Sequence, residues 1–368
     1  MVEQHVVQVL GSSAGGVARH VAQVAAGAVE RGARVTVAGP TALQEQVAAG
    51  TGASFRAVEI ADRPGAHDVR TVRALRTLIA EADVVHAHGL RAGALVVLAA
   101  RSSRRRPGVV VTLHNLPVGG RGVTAVASVL ERVVARGADA VLGVSGDLVA
   151  RARERGAAVV ERALVPAPPR RGVERSAPEV RAELGVQDGT GLVLTVARLA
   201  PQKGLDLLCE AAALLRDGPT GTGAPGVLWV VAGDGPLQGG LEERISAQRL
   251  PVRLLGRRED VPDLLAAADV VVSTARWEGQ PLGIQEALAL GAAVVATDVG
   301  GTGEVTGDAA VLVPPDAQRL ADEVAALLGD VSRRAALQAA AVRRAELLPR
   351  LSDTLDQLER VWRAASHR

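Results

Sequence analysis

The sequence predicts an α/β protein built from two doubly wound parallel-sheet domains. Three observations predict it. Short, continuous runs of Val, Leu and Ala recur along the chain, and most end in Gly or a polar residue. Segments of helical periodicity separate them, as expected where a parallel strand is covered on both faces and followed by a crossover helix. A single Pro-rich, charged stretch, residues 166–178, interrupts the 368 residues near their middle. At ~100–200 residues per domain, that length holds two domains.

In order, Val6–Leu10 reads as the first strand, followed by a Gly/Ser turn and a helix from about Val17 to Arg31. Val35–Ala38, Val84–His86, Val109–Leu113 and Ala140–Val144 read as further strands. Beyond the linker, Leu192–Ala197 is a strand and Gly204–Arg216 a helix, with a flexible Gly-rich loop over 217–226. Val227–Ala232, Val252–Leu255, Val270–Ser273 and Ala293–Thr297 complete the second set. The expected division is 1–170, 171–350 and a final helical segment, 351–368. Ligands of such sheets bind outside the carboxyl ends of the strands, so the expected site lies in a cleft where two such domains face each other.

Composition narrows the function. Apolar residues are 48% and charged residues 22%, which excludes a disordered chain. The uncharged apolar runs, such as Ala92–Ala100 between Arg91 and Arg101, are short, far from the ~20 residues of a membrane span. Cys209 is the only cysteine, so no intrachain disulfide is possible, and the first twenty residues lack the basic-then-apolar pattern of a signal peptide, so none is expected. A cytoplasmic protein is expected. Residues 1–170 carry a net +8 and residues 171–368 a net −6. The basic first half, with Arg101, Arg104, Arg105 and Arg106, points to an anionic acceptor or the inner face of the cell membrane. Three Trp and one Phe give no base-stacking platform, so nucleic acid is not an expected partner. Of 42 basic residues, only Lys203 is lysine. In a chain that otherwise uses arginine, that survivor is a candidate for function.

The turn after the first strand, "GSSAGG" (11–16), is not the G-x-G-x-x-G of a dinucleotide site, and the second strand ends "VTVAGP" without a ribose-binding acid. Gly15 and Gly16 still open a helix whose free N–H groups can meet an anion.

The second half holds a denser constellation. In "RWEGQPLGIQEALALG" (276–291), Pro281 marks a helix start. Glu278 then lies in the preceding loop, Glu286 lies in the second turn, and the N–H groups of Leu282, Gly283 and Ile284 offer a diphosphate site. In "VLTVARLAPQKG" (193–204), Arg198 ends a strand and Lys203 precedes a helix. Two cations at a sheet edge can neutralise a diphosphate leaving group.

The ordered set "ARLAPQKG", "VVAGDGPL" (230–237), "LLGR" (254–257), "ARWEGQPLGIQEALALGAAVVAT" and "GGTGEV" (300–305) resembles the family-four retaining glycosyltransferases of the GT-B fold. The first half agrees, with "GGVARHV" (15–21), "DVVHAHG" (83–89), "VTLHN" (111–115) and "ADAVLGVS" (138–145). The resemblance implies two Rossmann-like domains, donor in the second and acceptor in the first, and a last helix (here 351–365, with Trp362) returning to the first domain. It implies that Arg198 and Lys203 hold the donor diphosphate, Glu278 meets the donor sugar, Glu286 meets the ribose and His114 lies beside the sugar. Gly256 and Arg257 fall where the base is gripped, and Gly15 and Gly16 near acceptor and diphosphate. Two departures stand out: Val165-Pro166-Ala167-Pro168-Pro169 replaces a Val-Pro-Asn-Gly hinge, and Pro281 replaces a common Gly.

No Asp-x-Asp occurs, so cations and helix ends are expected to do the work of a metal, and no cofactor is expected. His86 and His88 form an H-x-H at a strand end without a third ligand nearby in sequence, so they are read as a polar wall of the acceptor cleft. The expected reaction is hexose transfer from a nucleoside diphosphate sugar to a hydroxyl of a cell-envelope lipid or glycan. A small acceptor of the inositol phosphate type, or nucleotide-sugar 2-epimerisation on the same fold, are the alternatives.

Overall fold

The computed structural model describes residues 4–12, 15–61, 63–116, 121–166, 172–216 and 226–367. The chain forms two compact units, Met1–Pro166 with Pro349–Arg368, and Ala167–Leu348.

In the first unit the described strands are β1 (His5–Leu10), β2 (Arg34–Gly39), β3 (Ser54–Ala57), β4 (Val84–His88), β5 (Gly108–Leu113), β6 (Ala140–Gly143) and β7 (Val160–Arg162). They form one parallel sheet in the order β3-β2-β1-β4-β5-β6-β7. The order reverses between β1 and β4, the position where such sheets open a crevice. β1, β4 and β5 are buried along their whole length, which is why their sequences read as unbroken apolar runs. Four polar exceptions, Gln8, His86, His88 and Thr112, fall on one face: Gln8 is paired in register with His86, and His88 with Thr112. The helix Leu351–Ser366 packs against β4, β5 and the helix Gly16–Glu30. At Gly108 its approach is so close that a Cβ would lie 2.6 Å from the Ala365 carbonyl. Trp362 is fully buried there.

The second unit contains β8 (Gly191–Val196), β9 (Val227–Ala232), β10 (Val252–Gly256), β11 (Val270–Ser273), β12 (Val294–Thr297) and β13 (Val311–Val313). Their order is β10-β9-β8-β11-β12-β13, all parallel. The switch lies between β8 and β11. Trp229 anchors one core face, its indole N–H donating to Thr195 Oγ1 at 3.0 Å.

The strands read from sequence are present to within two residues at each end. Three others, β3, β7 and β13, were not among them: β3 and β7 are outermost strands of mixed composition, and β13, though apolar, is only three residues long. An edge strand is half solvated and needs no continuous hydrophobic stretch. The expected linker, 166–178, is shorter in the structure, because a helix begins at Ala177 with a Ser176/Glu179 capping box. Residues 167–171 of that linker and 217–225 of the expected loop lie outside the described residues.

Candidate functional site

The second-unit constellation assembles at the β8/β11 switch. The loop leaving β8 carries Arg198 and Lys203, and the loop leaving β11 carries Glu278. Backbone and side-chain bonds stitch the two together. Thr274 Oγ1 donates to the Lys203 carbonyl (2.8 Å), the Arg276 amide to the Gln202 carbonyl (2.8 Å), and Gln202 Nε2 to the Trp277 carbonyl (3.0 Å). Gly204 makes this approach possible: its φ is +60°, and a Cβ would lie 2.0 Å from the Thr274 carbonyl oxygen. From the other side the Gly301 amide donates to the Glu278 carbonyl at 2.8 Å. A Cβ on Gly300, whose φ is +52°, would strike that same oxygen.

Inside this frame the Lys203 ammonium donates to Glu278 Oε1. The sequence reading assigned these two groups to different parts of a ligand; the structure joins them. Glu278 is buried and Lys203 half-buried. Arg198 is exposed, and no described residue forms an ion pair with it. Its loop is held by the Leu199 amide donating to the Asp234 carbonyl (2.8 Å).

The helix Leu282–Ala289 starts one residue later than its proline, with Pro281 as the N-cap. Leu282 and Gly283 are thus the first two helical residues, whose N–H groups have no intrahelical acceptor. Ile284 does not join them, because its amide donates to the Pro281 carbonyl at 3.1 Å. Gly283 sits against the end of β8, a Cβ there lying 3.6 Å from the Val196 carbonyl oxygen. The helix end and the Arg198 loop therefore adjoin. Glu286 is half-buried one turn further along. Gly256 ends β10 with φ +67° and accepts the Gly233 amide at 2.7 Å, so Gly256 and Arg257 lie at the same carboxyl edge. A cation beside helix N–H groups, with two carboxylates within the helix and its approach, suits an anion linked to hydroxyl-bearing groups.

In the first unit Gly15 has φ +80° and caps the helix Gly16–Glu30. The expected polar wall takes a different form. His86 and His88 are buried within the sheet rather than lining its surface. With His114, half-buried beyond β5, and His20 on the first helix, they form a cluster. His88 Nδ1 lies 3.1 Å from His114 Nε2, and His88 Nε2 lies 3.2 Å from Gln8 Oε1. His86 Nε2 lies 2.7 Å from Thr112 Oγ1, and the Trp362 indole N–H donates to His86 Nδ1 at 3.4 Å. The His20 ring stands edge-on to His88 and His114. Burial lowers His20 to about 4, and burial together with the nearby His20 ring lowers His86 to about 3. Desolvation and neighbouring imidazoles hold His88 and His114 well below the ordinary histidine value. All four are neutral at pH 7. Among the described residues no group of three His, Cys, Asp or Glu is placed to hold a metal ion.

Sequence reasoning missed Gln8, His20 and Thr112 as members of this cluster. The Arg101–Arg106 patch is also less bare than its sequence implied, since Arg105 pairs with Asp83 and Arg106 with Asp139, both at 3.1 Å. Among the described residues no helix is long and apolar enough to cross a membrane.

The family model described as "Glycosyl transferase 4-like domain" matches residues 15–168, and that described as "Glycosyl transferases group 1" matches 190–330. D-inositol 3-phosphate glycosyltransferase 1 of Catenulispora acidiphila is 30% identical over 313 residues, 77% of this chain and 72% of that protein. The lipopolysaccharide core biosynthesis mannosyltransferase LpsB of Rhizobium meliloti is 34% identical over 173 residues, 44% of this chain and 48% of that protein. Several curated relatives are in fact matched over half their length or less. The solved structure of Anabaena HepE in complex with UDP-glucose aligns with a TM-score of 0.79 at 22% identity, over 98% of this chain and all of that one. That likeness carries the fold, two parallel-sheet α/β units of the GT-B class. With both halves matched in order and a relative covered over most of its length, the chain belongs to the group 1 glycosyltransferases.

Proposed function

We propose that the chain transfers a hexose, with retention, from a nucleoside diphosphate sugar to a hydroxyl of a cell-envelope lipid or glycan, without a metal or other cofactor. The observation that carries this reading is the β8/β11 switch, where exposed Arg198 adjoins the N-terminus of the helix Leu282–Ala289. In the proposed roles Arg198, Lys203 and the N–H groups of Leu282 and Gly283 take the charge that grows on the departing diphosphate. Preorganised donors of this kind are worth about 3–4 kcal/mol each in a transition state. Glu278 meets the sugar, Glu286 the ribose, and Gly256 and Arg257 the base. Gly15, Gly16 and His114 serve the sugar and acceptor. The lipopolysaccharide role in the name of LpsB supports an envelope acceptor.

We also propose that the first unit rests on the cytoplasmic face of the membrane. Val123, Val126 and Val129 are exposed on the helix Arg121–Gly137, which also presents Arg132 and Arg136 to solvent. Apolar side chains beside exposed cations suit an anionic lipid surface.

A panel of nucleoside diphosphate sugars, read by release of the nucleoside diphosphate with and without envelope glycolipid, tests the reading. Release that depends on acceptor supports it. Donor turnover without any acceptor, giving an isomerised sugar nucleotide, replaces it with epimerisation.

A further inference from the structure

We infer that Gln8 and His88 are positioning residues that fix which ring nitrogen of His114 carries its proton, so that Nδ1 of His114 is presented as a hydrogen-bond acceptor. The role of that acceptor rests on the reading of His114 as a partner of the transferred sugar; the relay itself does not.

The argument is one of donors and acceptors. A neutral imidazole has one N–H and one lone pair, on opposite nitrogens. The Gln8 amide turns its oxygen to His88, leaving its own Nε2 buried without a hydrogen-bond partner; in that orientation Oε1 accepts and His88 Nε2, 3.2 Å away, donates to it. The His88 lone pair is then on Nδ1. His114 Nε2, 3.1 Å from that lone pair, must carry the proton and donate. The lone pair of His114 is left on Nδ1, which bonds no described residue.

Competing partners are occupied. Thr112 Oγ1, in register with His88, is taken by His86. The Trp362 indole can only donate, so His86 Nδ1 accepts and His86 Nε2 donates to Thr112. Two parallel relays thus run from the interior of the sheet, one anchored by Gln8 and one by Trp362. Gln8 is fully buried in the middle of an apolar strand. A buried amide in such a place is costly unless its hydrogen bonds do something that leucine could not. The neutral state of all four rings keeps the relay intact at pH 7, because an imidazolium has no lone pair to pass on.

A sugar hydroxyl that must donate a proton, rather than accept one, is the group this arrangement selects at His114. An Nδ1–H tautomer would meet the same hydroxyl as a donor and reverse its orientation.

The test is tautomer assignment by long-range 1H–15N correlation on the full chain labelled with 15N-histidine, at pH 7.5. The expected result is a single Nε2–H tautomer for His86, His88 and His114. Gln8→Leu should turn His88 and His114 into tautomer mixtures and leave His86, anchored by Trp362, unchanged. His88→Asn, which can keep an acceptor oxygen near the place of Nδ1, should hold His114 in the Nε2–H form, whereas His88→Phe should not. An Nδ1–H tautomer of His114 in the unsubstituted chain, or a His114 spectrum indifferent to Gln8→Leu, would overturn the inference. If Gln8→Leu does not fold, the unsubstituted spectrum decides alone. For sugar transfer, Gln8→Leu should lower kcat about tenfold with donor KM changed less than twofold. The predicted tautomers in a protein that transfers no sugar would leave the relay standing and remove the glycosyltransfer reading instead.

Discussion

Lys203 and Glu278, 75 residues apart in sequence, form an ion pair that ties the loop after β8 to the loop after β11. The only lysine of the chain is therefore balanced by a buried carboxylate. In the proposed role, a diphosphate at Lys203 would share the ammonium with Glu278 or displace it.

Glu278→Gln should consequently separate binding from turnover. Removing the negative charge leaves Lys203 more attractive to a diphosphate, so a nucleoside diphosphate should bind at least as tightly as to the unsubstituted chain. Turnover should fall at least about tenfold, a loss of ~1.4 kcal/mol in transition-state stabilisation. Calorimetric titration and steady-state rates check the two halves. Weaker nucleotide binding with unchanged turnover would contradict the assignment.

Lys203→Arg keeps the charge but replaces a compact ammonium by a broad planar fork. The ammonium it would replace is paired with Glu278 Oε1. The variant should melt within a few degrees of the unsubstituted chain and turn over at least about tenfold more slowly. Full turnover would mean that the lysine is an accident of composition.

Stability should fall as the pH is lowered from 6.5 towards 5. The folded values of His20 and His86 are depressed from 6.5 to about 4 and about 3. Across that window the unfolded chain binds protons that the folded chain refuses. Each such imidazole subtracts about 1.4 kcal/mol per pH unit, and its contribution is fully present above 6.5. Melting curves between pH 7.5 and 5 measure the slope; a flat profile would show the rings to be hydrated.

Transfer should persist in EDTA. The proposed charge stabilisation rests on Arg198, Lys203 and a helix end, and no Asp-x-Asp is present in the sequence. Complete loss, restored by magnesium or manganese, would reassign the donor site.

Binding to anionic vesicles should weaken as salt rises, the Debye length shrinking from ~10 Å at 0.1 M to ~3 Å at 1 M. Substituting Val126 by Glu should weaken it further. Equal recovery on neutral and anionic vesicles would remove the membrane proposal.

The interior strands and the donor-side motif were legible because burial on both faces and tight turns leave local signatures. The edge strands β3 and β7 were not, since solvent tolerates mixed residues there, and β13 was passed over because its strand is only three residues long. The pairing of Lys203 with Glu278 depends on two loops separated by three strands of sequence, which spacing alone does not bring together. The histidine cluster left a fainter trace. Gln8 interrupts "VVQVL", His86 and His88 interrupt "VVHAHG", and Thr112 and His114 end "VVVTLHN". In each run the polar positions are two apart or single, so each set occupies one face. Placing β1, β4 and β5 side by side would have gathered those faces; His20, arriving from a helix, had no such signal.

Residues 349–368 complete the first unit, so that unit is discontinuous and the second is an insertion within it. A ribosome releases Trp362 only after the whole second unit has been made. Until then β4 and β5 lack the helix that covers them, and His86 lacks the indole that orients it. A fragment ending at Pro166 should thus expose apolar sheet and aggregate, whereas 167–348 is a contiguous stretch that can be excised. Dissection of this chain works from the middle outwards, and a genetic fusion joining 166 directly to 349 is the shortest route to an isolated first unit.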